Sequence, residues 1–429
     1  MQKFFESDII QSLHGKEVVG FPLELSFGKK STAFFHGDLM YYTEEEVLDY
    51  VKEEDVKFVR LAYFDLSGKQ KNATIMASEL PRAFENGIGF DASAIEDFEE
   101  PNKSDLFLFP DASTLAVLPW RPSAGKVIRL FCDIRYPDGT PYKKDCRYLL
   151  KTAAKKIKDE CGVDLHFGTE FEFYLFKLDE NGEQTKIPFD NAGYMDIAPE
   201  DKGENIRRNI CFTLEQMGIT PEASHHEEGP GQNEVDFKYS DALTAADNAS
   251  TFKWIVRTKA AESGLYADFS PKPIQEKPGS GMHINISCSD SAQNEHILAG
   301  ILAHIEEITY FLNPTENSYN RLGEAKAPKY ICWGRQNRSA IVRVPESKEK
   351  PRIEIRSSDP LCNPYIAFTL LIHAAIDGIK NDLKPCEPCN LNLFDKEVAK
   401  SVRFKTIPDT LDEAKAIALK SEFIKGILG

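Results

Sequence analysis

Between Val163 and Phe176 the chain alternates with a period of two: Val163, Leu165, Phe167, Phe171, Phe173 and Leu175 share one parity, while Glu170 and Glu172 share the other. Successive side chains on a strand point to opposite faces, so this predicts a strand with a buried underside and two carboxylates about 7 Å apart above it. Three later segments repeat the design. Over 281–287, Met282, Ile284 and Ile286 oppose His283, Asn285 and Ser287; over 351–358, Ile353 and Ile355 oppose Arg352, Glu354 and Arg356; over 233–239, Val235 and Phe237 oppose Glu234 and Asp236. A solvated outer face would account for one such strand. Four of them predict a single sheet whose open face gathers glutamates, a histidine and arginines.

Other periodicities place the surrounding elements. Thr43-x-x-Glu46 before an apolar-periodic run predicts a capping box and a helix to about Lys52. Residues 56–77 predict a hairpin turning at Ser67-Gly68, and 147–161 an amphipathic helix closed by Gly162. Gly-x-Gly-x-x-Ala at 87–92 follows a helix-like stretch and lacks the strand that a dinucleotide fingerprint needs in front of it. With no run of parallel β-α-β signals, the class is α+β. The predicted organisation is an extension over 1–42, a small β-rich domain over 43–140 and a larger domain over 141–429.

Composition narrows the functions. A chain of 429 residues, 41% of them apolar, can bury a large core in two or three domains. No apolar run reaches the ~18 residues of a membrane span, and the first residues carry acids where a secretory signal would be basic, so a cytoplasmic protein without a membrane partner is expected. A net charge of -16 argues against a nucleic-acid partner; small anionic substrates would need a locally basic pocket. Nine scattered cysteines fit reduced thiols, and the close pair Cys386 and Cys389 lacks the second pair of a zinc ribbon.

Carboxylates crowded on one face raise each other's pKa unless a cation sits among them. Oxygen-rich sites with a single imidazole suit Mg²⁺ or Mn²⁺. In the stretch ASHHEEGPGQNEVDF, Glu227 and Glu234 flank a turn that could bring both onto a metal already held by Glu172. Five arginines, Arg321, Arg338, Arg343, Arg352 and Arg356, then fall within 36 residues. Their planar forks match phosphate or carboxylate oxygens, and arginines with metals but no phosphate loop point to phosphoryl transfer by positioning and charge.

With FDASAIEDF, FPDAST, GTEFEF, EASHHEEGPGQNEVDF, GSGMHINIS, NPTENSYNRL, NRSAIVRVP, RIEIRSSDP and NPYIAF in this order, the chain resembles glutamine synthetase over about 43–425. The resemblance implies a small β-grasp-like domain and a larger catalytic domain with a cupped antiparallel sheet flanked by helices. It implies two or three divalent ions per site, one held by Glu172, Glu227 and Glu234 and another by Glu170, His283 and Glu354. Arg338, Arg343 and Arg356 would meet the phosphates, with Arg352, Asn285 and Ser287 near ATP. Arg321, Gly279, Glu172 and Arg356 would hold glutamate. The activity implied is an ATP-dependent ligase that makes γ-glutamyl phosphate and passes the acyl group to ammonia or another small amine. Such proteins form rings, hexameric here by expectation, whose sites are shared between subunits; Asp91 would be lent to the neighbour.

Departures from the family pattern fall on the amine side. Ala92 and Ala94 replace Gly and Ser after Asp91, and Pro278 replaces an Asn beside the glutamate site. The flap reads GEAKAP, one residue short, so Lys326 stands where the family's catalytic Glu aligns unless Glu324 takes that place. Phe394 replaces a tyrosine that some members have adenylylated, and the last residues, SEFIKGILG, stop short of the helix that joins two rings. A single ring, or a stack held by residues 1–42, is therefore expected. The alternative function is a weakly active or inactive ring serving as a nitrogen sensor or partner-binding protein.

Overall fold

The computed structural model describes residues 42–324, 326–346 and 351–429, so the extension expected over 1–42 lies, except for Tyr42, outside the described residues. The capping box forms: Glu46 N–H donates to Thr43 Oγ1 and Thr43 N–H to the Glu46 carboxylate, opening α1 (Glu44–Glu53). The hairpin follows as β1 (Val56–Phe64) and β2 (Gln70–Met76), antiparallel, with Phe64 opposite Gln70. After α2 (Leu80–Asn86) come β3 (Ile88–Asp91), β4 (Asp105–Pro110), β5 (Ala116–Val117) and β6 (Lys126–Arg135). They make a sheet ordered β2-β1-β6-β4-β3, with β5 on β6. One face packs Val59, Leu61, Leu108, Ile128 and Leu130 with Val47 of α1 and Leu80 of α2, while Phe64 and Phe131 join the main core.

Asp145 caps α3 (Cys146–Cys161), and Gly162 ends it in the left-handed conformation at φ 73°. The long strand β7 (Leu165–Leu178) is the spine of the second sheet. Around it the chain sets β8 (Gln184–Pro188), α4 (Glu204–Gln216), β9 (Pro221–His226), β10 (Gln232–Phe237), β11 (Ser240–Asp241), α5 (Ala242–Glu262), β12 (Leu265–Asp268) and β13 (Met282–Cys288). Beyond α6 (Asn294–Leu312) and α7 (Glu316–Tyr319) lie β14 (Trp333–Arg335), β15 (Val342–Val344), β16 (Ile353–Ile355) and α8 (Pro364–Lys380), followed by α9 (Lys396–Ser401), α10 (Leu411–Lys420) and α11 (Glu422–Leu428). The sheet runs β14-β15-β16-β13-β7-β10-β9, with β8, β11 and β12 also on β7.

All four alternating segments thus lie in one sheet, and every apolar residue of that pattern is buried. Beneath them Phe171 stacks on Phe252 of α5 at 5.2 Å and Phe167 on Phe368 of α8 at 4.3 Å. Each such side chain contributes roughly 1.5–3 kcal/mol by burial. In this second sheet the antiparallel expectation holds except at β14 and β15, which run parallel, as β1 and β6 do in the first. The loop between them is pinned by Asn337, whose Nδ2 donates to the Cys389 and Leu391 carbonyls. Among the described residues no helix is long and apolar enough to cross a membrane, and all nine cysteines are free thiols.

The two sheets are joined by a buried cation. Arg147, 1% exposed, donates from Nη1 to Asp111 (3.0 Å) and Asp133 (3.1 Å) of the first sheet, and from Nε and Nη2 to Asp247 of α5 at 3.1 and 2.9 Å. Tyr365 of α8 also donates to Asp247, at 2.6 Å. Burial works against the Asp111 carboxylate, yet Arg147, Ser113 and Lys151 hold its pKa down at about 2. A depressed carboxyl pKa stabilises the fold fully above its unfolded value near 4, and that stability fades as pH falls toward 2. Arg147→Ala removes the cation that Asp111, Asp133 and Asp247 share, leaving them only Lys151 and Tyr365, and is expected to cost about 3–5 kcal/mol in denaturant unfolding, with a flatter acid limb between pH 4 and 2. A loss below about 1 kcal/mol would refute the joint.

Candidate active site

Strand register builds the site. On the face opposite the phenylalanines, Glu170 of β7 stands between Asp236 of β10 and His283 of β13, and Glu172 stands opposite Glu234. One row along, Glu354 of β16 lies between Asn285 of β13 and Arg343 of β15, while His225 of β9 lies opposite Glu234. Directly opposed residues have Cβ atoms roughly 4.5–5.5 Å apart, so the register alone brings these groups into mutual contact. The Gly229-Pro230-Gly231 turn carries the chain back from β9 to β10. A Cβ at Gly229 would sit 2.0 Å from Tyr174 Oη, and Gly231 has φ +69°, so only glycines fit.

Above this face is a cleft of about 410 Å³. Six acids line it, Glu170, Glu172, Glu227, Glu228, Glu234 and Asp236, with six cations, Arg321, Lys326, Arg338, Arg343, Arg352 and Arg356. Where the acids crowd one another, burial and their neighbours' charge raise their pKa values. Burial, then Asp236 and three glutamates, push Glu234 well up; burial and Glu227 raise Glu172; burial and Glu170 push Asp236 to about 7. Where a donor is near, they fall. Burial opposes the charge on Glu170, yet His283 Nδ1 at 3.2 Å and Asn285 Nδ2 at 2.9 Å hold it at about 2. Glu227 is likewise lowered against its burial by His225 Nε2 at 3.0 Å.

Two donor sets fit a hard divalent ion. Glu170, His283 and Glu354 converge with ligand atoms within 4.8 Å of one another, and so do His225, Glu227 and Glu234. Each offers two carboxylates and one imidazole, a set that suits Mg²⁺ or Mn²⁺. His225 joins Glu227 and Glu234 in the second set, and Glu172, placed with them by the sequence, lines the same cleft opposite Glu234, its Oε2 accepting from Gly281 N at 2.9 Å and Gln232 Nε2 at 3.2 Å. The sequence reading missed His225, although its position two residues before Glu227 on a strand carried the signal. Gln232, Glu228 and Tyr194 were missed as well, and Asp236 was placed on the charged face without a role. A third cluster, Asp190, Asp201 and His226, is saturated: His226 meets Asp190 at 2.9 Å and the Glu227 carbonyl at 2.7 Å, and Arg207 pairs with Asp201.

The arginines occupy the other half of the cleft. Arg343 and Arg356 both pair with Glu354, and Arg352 Nε donates to Asn285 Oδ1 at 2.9 Å, continuing a chain to Glu170. Arg356 Nε donates to the Arg338 carbonyl at 3.3 Å. Buried Arg321 is held by the Ser357 and Arg356 carbonyls, and both it and Gly279 line the cleft. Of the residues singled out in the sequence, Glu354 and Asn285 stand behind the lining and bond to it, and three others lie away from it. Asp91 ends β3 in the first sheet, exposed, with Ser93 donating to it; Ser287 stands beside His166 further along β13; Glu324 is 70% exposed, its carboxylate 3.8 Å from Lys272. Lys326 does enter, paired with Glu228 and with its ammonium 5.9 Å from the Tyr194 ring.

The fold and this cleft define a ligase that forms carbon–nitrogen bonds. A family model for the glutamine synthetase catalytic domain matches residues 143–429, and one for the glutamine synthetase beta-Grasp domain matches 55–137. The chain belongs to the glutamine synthetase family. It is 44% identical to the glutamine synthetase of Methanosarcina mazei over 407 residues, covering 90% of this chain and 91% of that one. Glutamine synthetase of Staphylococcus aureus is 42% identical with the same coverage. Among solved structures, GmaS in complex with ADP superposes with a TM-score of 0.81 at 28% identity, covering 89% of this chain and 92% of that one. Plasmodium falciparum glutamine synthetase shares the fold with a TM-score of 0.78 at 24% identity, covering 91% and 96%.

Because Glu234 and Glu172 are pushed up, an entering divalent ion must displace protons. Mn²⁺ titrated by calorimetry in two buffers of different ionisation enthalpy should release protons and bind more tightly at pH 8 than at pH 6. Glu234→Gln is expected to remove most of that release and weaken binding about tenfold or more. Proton-neutral binding with no pH dependence would contradict the crowding.

Proposed function

We propose that this protein is a glutamine synthetase in the strict sense, joining glutamate to ammonia with ATP. The observation that carries this reading is the cleft itself, in which a register-fixed row of carboxylates faces arginines. Mg²⁺ or Mn²⁺, two or three per site, held by Glu170, His283 and Glu354 and by Glu172, His225, Glu227 and Glu234, would screen the charge between two anionic substrates. Arg321, beside Gly279, takes the α-carboxylate of glutamate and directs the γ-carboxylate toward Arg338 and Arg356. Arg343 and Arg352, the latter held by Asn285, steer the nucleotide.

The γ-carboxylate oxygen attacks the terminal phosphorus, and the bond to ADP breaks. Arg338 and Arg356 meet the charge on the transferred group. Ammonia then attacks the acyl carbon, phosphate leaves, and the nitrogen gives up a proton. Asp91 of the partner subunit takes it. That carboxylate is exposed, its pKa is lowered by donation from Ser93, and it lies outside the cleft of its own chain. This route requires a homo-oligomeric ring, hexameric by likeness to the family, with the domain boundary near residue 140.

One observation favours a second acceptor. Lys326, not Glu324, lines the cleft and pairs with Glu228, so among the described residues no carboxylate of the flap lines it to draw in an ammonium cation. A larger amine would be selected by the same chemistry. Mass spectrometry of products from Mg-ATP, glutamate and a panel of amines decides between them: glutamine supports the first reading, another γ-glutamyl amide the second, and no turnover refutes both in favour of a sensor. Glu354→Ala should cut turnover by at least about 10²-fold, and Arg321→Gln should raise the glutamate KM while sparing that of ATP. Lys326→Glu should lower the ammonium KM, and an unchanged value would remove Lys326 from the amine entrance.

A further inference from the structure

A second cavity, about 990 Å³, lies at the seam of the two sheets, beneath the β1–β2 turn and between α5, the end of α6 and the start of α8. Its charge is one-sided. Arg60, Lys69, Lys143, Lys144, Lys253 and Arg257 line it against one acid, Asp97, on a chain whose net charge is -16. None of the six forms an ion pair with a described carboxylate. Lys144 donates only to the Asp97 and Phe98 carbonyls, and Lys253, 9% exposed, only to the Pro360 carbonyl at 3.2 Å.

A further group there wants a partner. Ser250 lines the cavity, is 5% exposed, and its Oγ has no hydrogen bond among the described residues. Burial pushes the Lys253 pKa down to about 8, and burial together with Arg121 lowers that of Arg60. Cations gathered without counter-charges repel one another, and an anion bridging them relieves that cost. Trp254, with the Arg60 guanidinium 5.9 Å from its ring, and Leu361 and Ile366 supply apolar wall. The volume is that of small-molecule sites.

We propose that this cavity is a second ligand site, separate from the catalytic cleft, for a small polyanion carrying two or more carboxylate or phosphate groups. Bound there, the ligand would touch both the β1–β2 turn of the first sheet and α5, which packs beneath the second. The turn already reaches across through Asn363, whose Nδ2 donates to the Leu66 carbonyl at 3.1 Å.

The test is a tryptophan-fluorescence titration of the full-length protein at constant ionic strength, with tricarballylate as the polycarboxylate probe and pyrophosphate as the phosphate probe. Saturable binding of either supports the proposal and tells which group the site prefers. Arg257→Gln, at the exposed rim, and Lys253→Met, at the base, should each raise the Kd about tenfold or more, as loss of a charge-assisted contact predicts. The Arg257→Gln protein should keep the wild-type KM for ATP and glutamate. The proposal falls if neither probe saturates by about 10 mM, if both variants bind as wild type does, or if Arg338→Gln in the catalytic cleft abolishes the signal.

Discussion

Mutual repulsion among carboxylates on one sheet face is the constraint around which the molecule is arranged. Glu170, Glu172, Glu234 and Asp236 sit on adjacent strands in direct or diagonal opposition, with Glu227 at the end of β9. Such an array is unfavourable on its own, as the raised pKa values of Glu234, Glu172 and Asp236 record. It persists because the same strands bury Phe171, Phe173, Val235, Met282 and Ile284 on their other face. A one-residue slip in pairing would turn those side chains to water, so apolar packing fixes the register, and the register fixes the charges. The energy that holds the site together is therefore spent beneath the sheet.

Cations answer the acids in two different ways. In the catalytic cleft Arg343 and Arg356 are engaged by Glu354, which holds the planar guanidinium groups in place along the rim. At the joint between the sheets, Arg147 is shared by three aspartates and is saturated. The seam cavity differs from both, since its cations have no carboxylate partners among the described residues and its buried Ser250 has no hydrogen bond. An acidic protein that leaves six cations unpaired around one cavity has concentrated its basicity where an anion can reach it.

The flap shows how a local sequence change acquires meaning only in three dimensions. Glu324 and Lys326 are two residues apart, and either could align with the family's catalytic Glu. The chain turns Glu324 out toward Lys272 and sets Lys326 over the cleft, at φ 68°, in contact with Glu228. Glu228 itself drew no attention in the sequence beyond its membership of an acidic run. The pair places opposite charges side by side on the cleft wall.

Period-two alternation in four short segments was enough, by itself, to determine which residues face the core and which share the charged face, because side-chain direction on a strand depends on nothing beyond the residue's parity. The capping box at Thr43 and the stop at Gly162 were equally local and equally legible. What alternation cannot contain is the order and offset of strands. Whether Glu172 or His225 completes a ligand set with Glu227 and Glu234 depends on β9 pairing to β10 opposite Glu234, a contact closed by the Gly-Pro-Gly turn. The seam cavity draws its cations from β1, the β1–β2 turn, the segment before α3, and α5, nearly 200 residues apart in the chain. No window of sequence holds them together; the packing of one sheet against the helices of the other does.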